Sequence, residues 1–225
     1  MMKTKLVLAL ACLCAATAGA LDFDAVTGKF GVAIINIERL DDTAPSAPTP
    51  VVNTLGASFN LSLSPDSPWA FVPALDLLWT NYEWSAGENR ALPTESEQNG
   101  LNNIFMLGLM LDAPMVRSFR FSERLGGAAQ AGLAFLVRLS FPGDSQTADA
   151  EELKANLAKV SSYFWGKARW LYPSFGLRMD VFLQEGFTFA LGFRYFLPLF
   201  NAWIGDAPFF DHSTLHITLG MRIGL

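Results

Sequence analysis

The chain has 225 residues, of which 51% are hydrophobic, 13% aromatic and 16% charged, with a formal charge of −5 and a mean hydropathy of +0.28. An acidic balance without a basic stripe argues against nucleic acid as a partner, because phosphate binding depends on clustered Lys and Arg. Past residue 20 there is no run of about 18 apolar residues to make a spanning helix, so the apolar content must sit in another element; the length suits one domain, a small barrel or a sandwich.

At the N-terminus, Lys3 and Lys5 precede an apolar run from Leu6 to Ala15, and Ala18-Gly19-Ala20 supplies small residues before Leu21. This order resembles a cleavable secretory signal, which sets residues 1–20 outside the fold, leaves 21–225 as the domain and implies export. Lipidation at Cys12 is the competing reading, but it leaves a short apolar region with Ala9 where Leu is usual. Cys12 and Cys14 both fall in the excluded segment, so the rest has no disulfide framework, and without Lys3 and Lys5 its charge is −7.

A strand repeats every two residues, so alternation of apolar and polar positions marks each one. Lys29 to Arg39 alternates Phe30, Val32 and Ile34 against Gly31, Ala33 and Ile35, a mixed strand whose facing stays open. Val51 to Leu63 sets Leu55, Ala57, Phe59 and Leu61 against Thr54, Gly56, Ser58 and Asn60. Ser64-Pro65-Asp66-Ser67-Pro68 reads as a short turn. Trp69 to Glu83 carries Trp69, Phe71, Leu75, Leu77 and Trp79 on one face, with Asp76 and Thr80 on the other. Trp84 to Gly100 is rich in Glu, Asn, Ser and Gly, lacks periodicity and reads as a long exposed loop.

Asn102 to Asp112 returns as a strand, with Phe105, Leu107, Leu109 and Leu111 opposed to Met106, Gly108, Met110 and Asp112. Ala113 to Gly127 admits three readings: an extension of the following strand, a hairpin of its own, or a structured turn. From Ala128 to Phe141, Leu133, Phe135, Val137 and Leu139 oppose Gln130, Gly132, Ala134 and Arg138. In the interruption that follows, Leu153, Leu157 and Val160 recur at helical spacing behind Glu151 and Glu152, which predicts a short amphipathic helix within 149–160. Tyr172 to Leu183 and Phe187 to Leu197 are strands joined by the tight turn Gln184-Glu185-Gly186, and their polar positions include Arg178, Asp180 and Arg194. An aromatic loop, Pro198 to Asp211, leads to the last strand. There Leu215, Ile217, Leu219, Met221, Ile223 and Leu225 face His216, Thr218, Gly220, Arg222 and Gly224.

About eight strands with alternating long and short connections predict an all-β fold, an eight-stranded antiparallel transmembrane β-barrel with one short loop helix. The polar face is mostly Gly, Ser, Ala and Thr, which suits a cramped interior better than a solvated surface, so hydrocarbon faces outward. Trp69, Trp79, Trp84, Trp170, Tyr172, Tyr195 and Trp203 fall near strand ends, as aromatic girdles would. The segment Leu215 to Leu225 resembles the C-terminal strand by which outer-membrane barrels are recognised for assembly. With the signal, size and strand count, the chain is similar in architecture to the small outer-membrane barrels of the OmpW and OmpA types. That resemblance implies the outer membrane of a diderm bacterium, outer-membrane lipid and the barrel assembly machinery as partners, and a porin-like or structural barrel with surface-exposed loops.

Two groups are candidates for function. Asp76, Asp112, Arg138, Arg178, Asp180, Arg194 and Arg222 share the inward facing, and charges in a narrow barrel must pair, because an isolated one carries a large desolvation penalty. They form either an ion-pair network that plugs the lumen or the lining of a narrow gate. Phe200, Trp203, Phe209 and Phe210 put more hydrocarbon in one loop than solvation needs, and suggest an apolar entrance for a small hydrophobic solute. His212 and His216, read as one strand, stand about 13 Å apart, too far to share an ion, so no metal is expected. No phosphate loop, paired-carboxylate motif or Cys nucleophile points to catalysis or a cofactor. The expected role is non-enzymatic; the alternative is a secreted, soluble lipocalin-like barrel that binds a small hydrophobic ligand.

Overall fold

The structure, a computed structural model, describes residues 22–38, 50–64, 67–94, 104–143, 150–205 and 207–225. The expected signal (residues 1–20) and the Asx turn at Asp66 lie outside the described residues. The elements are β1 (Asp22–Ile35), β2 (Val51–Ser62), β3 (Trp69–Phe71), β4 (Ala74–Ser85), β5 (Arg90–Thr94), β6 (Ile104–Arg120), β7 (Leu125–Pro142), α1 (Ala150–Trp165), β8 (Leu171–Gln184), β9 (Phe187–Phe196), α2 (Asn201–Ile204) and β10 (Thr214–Gly224).

Every strand pairing is antiparallel, and β1 pairs with both β2 and β10, so the sheet closes on itself. β3 and β4 make one wall strand, since both pair with β2 and β6. The ladder breaks at Val72-Pro73, where proline has no N–H to give. Bonds still cross the gap: Phe59 N–H donates to the Pro73 carbonyl and Val72 N–H to that of Pro114, both at 3.0 Å. Among the described residues β5 pairs with β4 alone, extending it as a hairpin beyond the wall. The wall therefore has eight strands and no open edge, the arrangement that satisfies the backbone where no water is available.

Alternation decides the facing throughout. In β1 the buried positions are Ala25, Lys29, Ala33 and Ile35 while Phe30 is 59% exposed, which settles that mixed strand. Leu55, Phe59, Leu75, Trp79, Leu111, Leu133, Phe175, Leu177 and Met221 all stand exposed on the outside. A water-soluble barrel would not present a continuous hydrocarbon belt of this kind. Among the described residues, no helix is long and apolar enough to cross a membrane; the strands carry the belt.

Residues 113–127 turn out to be the two arms of one hairpin. β6 runs on to Arg120 in unbroken register with β7, and Phe121 to Arg124 is the turn, with the Phe121 and Ser122 N–H groups on the Leu125 carbonyl. All the short connections then lie at the end that holds both described termini, and the long ones at the other.

Three expectations need correction. Trp84 to Gly100 is not a wholly exposed loop: it contains β5, where Arg90, Ala91, Leu92 and Pro93 are all buried. A strand covered on both faces shows no alternation, so its sequence looks like coil. Tyr172 belongs to no girdle, because it points inward and is fully buried. The helix starts where expected but runs on to Trp165, its last turn held by Val160 and Phe164, which pack on Tyr82, Ile104 and Met106.

Candidate functional site

The lumen is filled in layers. Midway, Lys29 Nζ lies 2.7 and 2.8 Å from the two oxygens of Asp76, and Arg194 reaches Asp76 Oδ2 at 3.4 Å while pairing with Asp112. Ser174 Oγ donates to Asp112 at 2.8 Å. Four charges from β1, β4, β6 and β9 thus join in one chain, each buried. Gly56 makes room for it, since a Cβ there would collide with the Asp76 carboxylate. Lys29 is the member that sequence reasoning missed; its signal was its parity with Ala33 and Ile35, obscured by the mixed pattern of β1.

Nearer the termini, Arg178 holds Asp180 in a bidentate pair at 2.8 and 3.0 Å. Arg222 lies 4.0 Å from the same carboxylate and 3.5 Å from Thr188 Oγ1. The seven predicted lumen charges therefore divide. Asp76, Asp112 and Arg194 form the first group with Lys29, Arg178, Asp180 and Arg222 form the second, and Arg138 joins neither. Arg138 donates to the Tyr172 hydroxyl at 2.9 Å and to the Arg169 carbonyl at 3.1 Å, with its guanidinium 4.2 Å from the Phe164 ring centre. A ring face and two neutral acceptors stabilise this cation in place of a carboxylate.

Above the central charges comes an apolar layer of Ile35, Leu78, Met110, Leu136, Phe196 and Phe200, all buried. Among the described residues the lumen holds small cavities, about 10 Å³ beside Leu78 and Arg138 and about 40 Å³ beside Lys29 and Arg194. The terminal mouth opens into a vestibule of about 680 Å³ lined by Arg120, Phe182 and Arg222 among others.

The loop end is covered by a folded cap. Arg90 is its fastener: Nη1 lies 3.0 Å from Asp211, Nη2 donates to the Glu38 carbonyl at 2.8 Å, and Nε donates to Glu88 at 2.7 Å. Asp211 in turn accepts from the Glu38 N–H at 2.9 Å and lies 2.7 Å from His212 Nδ1. Burial of Asp211 opposes its ionisation, but the His212 ring, the Glu38 N–H and the Arg90 guanidinium outweigh burial and hold the carboxyl below its ordinary value. Tyr82, Tyr163 and Phe164 enclose the His212 ring, and burial pushes the Tyr163 phenol up to about 12, so it stays neutral.

His212 is not on the final strand, which begins at Thr214; it sits in a turn at φ 64°. His216 is in the lumen, against Phe196. Of the aromatic loop, Phe200 turns inward onto Tyr172 at 5.3 Å and is buried, while Trp203, Phe209 and Phe210 stand 57%, 38% and 47% exposed. The four residues therefore do not line one surface. Asn201 explains the split: its side-chain amide holds the carbonyls of Pro208, Phe209 and Asp211, pinning the loop so that Phe200 plugs and the others splay.

Closed, hydrocarbon-belted and filled with paired charges, this is an eight-stranded transmembrane β-barrel. Neisserial surface protein A has the same architecture, with a TM-score of 0.51 at 9% identity over 91% of this chain and 99% of that one. OprG from Pseudomonas aeruginosa matches with a TM-score of 0.47 at 14% identity over 91% of this chain and 98% of that one. The outer membrane enzyme PagL matches with 0.44 at 10% over 89% and 99%. At 9% identity the likeness to Neisserial surface protein A shows the fold alone, that of a small outer-membrane β-barrel. No protein-family model and no curated protein matches the chain.

Proposed function

We propose that the protein is a non-enzymatic outer-membrane β-barrel of a diderm bacterium, exported by its N-terminal segment, whose closed lumen serves as a rigid stem for the cap. One observation carries the reading: among the described residues, charged and apolar layers fill the interior and the cavities between them measure about 40 and 10 Å³, room for a water or two and too little for a solute stream. In this orientation the short turns and termini face the periplasm, and the cap of α1, α2 and the β4–β5 hairpin faces the outside. Outer-membrane lipid covers the apolar belt, and Leu215 to Leu225 is the strand offered to the assembly machinery. The His–Asp pair supports no catalytic role, because aromatic rings close over it. A soluble lipocalin-like barrel is disfavoured by the exposed hydrocarbon on every wall strand.

Planar-bilayer recording of the refolded protein tests this. The expected trace shows no unitary current, and steady ion conductance would overturn the closed-stem reading. Recovery from the soluble periplasm without detergent would overturn the membrane assignment itself.

A further inference from the structure

Beyond the first 29 residues the sequence has three lysines, Lys154, Lys159 and Lys167, and all lie in α1 or the turn that follows it. In a chain of net charge −5 this is a marked concentration. Lys159 and Lys167, both exposed, share a groove of about 540 Å³ with Trp84, Asn89, Ser162 and Tyr163. The groove runs between α1 and the β4–β5 hairpin. Its volume falls within the range of about 300–1,000 Å³ typical of small-molecule sites.

The walls are fixed. Trp84 meets Tyr163 edge to face at 6.1 Å, and the Arg169 guanidinium lies 3.8 Å from the Tyr163 ring centre while donating to the Tyr163 carbonyl at 3.0 Å. Asn89 on one side and Lys167 on the other are held at φ 50° and 51°, a conformation that costs a non-glycine residue about 1–2 kcal/mol. Glu88, next to Asn89 on the hairpin, is engaged by Arg90.

We propose that this groove binds an anionic saccharide: aromatic side chains take the apolar faces of the sugar ring, and Lys159 and Lys167 take its phosphate or sulfate groups. Lys159 and Lys167 supply the charge, Ser162 and Asn89 offer polar contacts to sugar hydroxyls, and Trp84 and Tyr163 supply the ring surface. Two sources have this chemistry, the phosphorylated core of lipopolysaccharide beside the barrel and a sulfated glycan arriving from outside. The site rests on the proposed orientation for which of these it meets, but its binding is measurable in detergent without that assumption.

The test is calorimetric titration of the detergent-folded full chain with sulfated isomaltotriose, unsulfated isomaltotriose and the phosphorylated core oligosaccharide of lipopolysaccharide. At least one anionic sugar is expected to bind, the neutral trisaccharide far more weakly. Lys159→Glu should weaken binding by about tenfold or more, and Lys154→Glu, the same charge change on the same helix away from the groove, should leave it unchanged. Binding of the sulfated sugar alone assigns an external glycan, and of the core alone the membrane's own lipid. Equal loss in both variants, equal binding of the neutral sugar, or no binding of either anion overturns the proposal. Conductance in a bilayer would sink the closed-stem reading alone and leave this result standing.

Discussion

Asp76 is the residue on which the lumen turns, because it meets both Lys29 and Arg194 and is 1% exposed. Removing one partner of a buried ion pair leaves an uncompensated charge, which costs about 3–5 kcal/mol. Asp76→Asn should therefore lower unfolding stability in lipid vesicles by that amount, read from urea titration of tryptophan fluorescence; a loss below about 1 kcal/mol would mean that water already screens these charges. Asp211 plays the equivalent part in the cap, with a sign that can be worked out. Its carboxyl is held below the ordinary 3.8, so its contribution is complete at neutral pH, persists down to the ordinary carboxylate value and is lost as pH falls further through the folded value. Amide exchange at Glu38, whose N–H donates to Asp211, should accelerate below that point, and Asp211→Asn should abolish the acid-dependent step.

At the scale of elements, hairpins and their turns set the register. Gly186 closes the β8–β9 turn at φ 75°, and its carbonyl accepts from Gly224 N–H at 2.7 Å, tying the turn to the end of β10. A side chain there is strained, so Gly186→Ala should destabilise the barrel by about 1 kcal/mol. Gly28→Ala, where a Cβ meets nothing, serves as the comparison and should be neutral in the same urea titration. Turn chemistry was legible because Gly, Pro and Ser mark it. The β6–β7 hairpin was not, since Pro114 and the small residues 126–129 dilute the alternation that the register in fact preserves. β5 escaped for the opposite reason, being covered on both faces.

For the whole molecule, closure has a cost and a consequence. An eight-stranded wall is just wide enough for side chains to fill, so the interior holds both an ion layer and an apolar layer, and these are independent barriers. The silent bilayer trace should therefore survive Arg194→Ala, because Leu78, Leu136, Phe196 and Phe200 remain in place. The cap is bound to the stem by Arg90 and Asp211, and to β7 and β8 by Phe164 lying over Arg138, itself bonded to Tyr172. Groove and stem thus share one rigid frame, which suits a surface that must present a fixed arrangement of rings and lysines.

By itself the sequence determined the class of wall. A period of two is a local property, so eight amphipathic stretches, their inward charges and the alternation of long and short connections could all be read from neighbours in the chain. Tertiary structure alone decided who meets whom. Lys29 and Asp76 are 47 residues apart, Arg194 and Asp76 118 apart, and no local pattern tells which inward charges share a layer. The same holds for Arg138, whose partners are a tyrosine, a carbonyl and a phenylalanine ring, and for Phe200, which plugs the stem because Asn201 bends its loop. Pairing in a closed barrel depends on register around the whole circumference, and that is fixed only when the last strand meets the first.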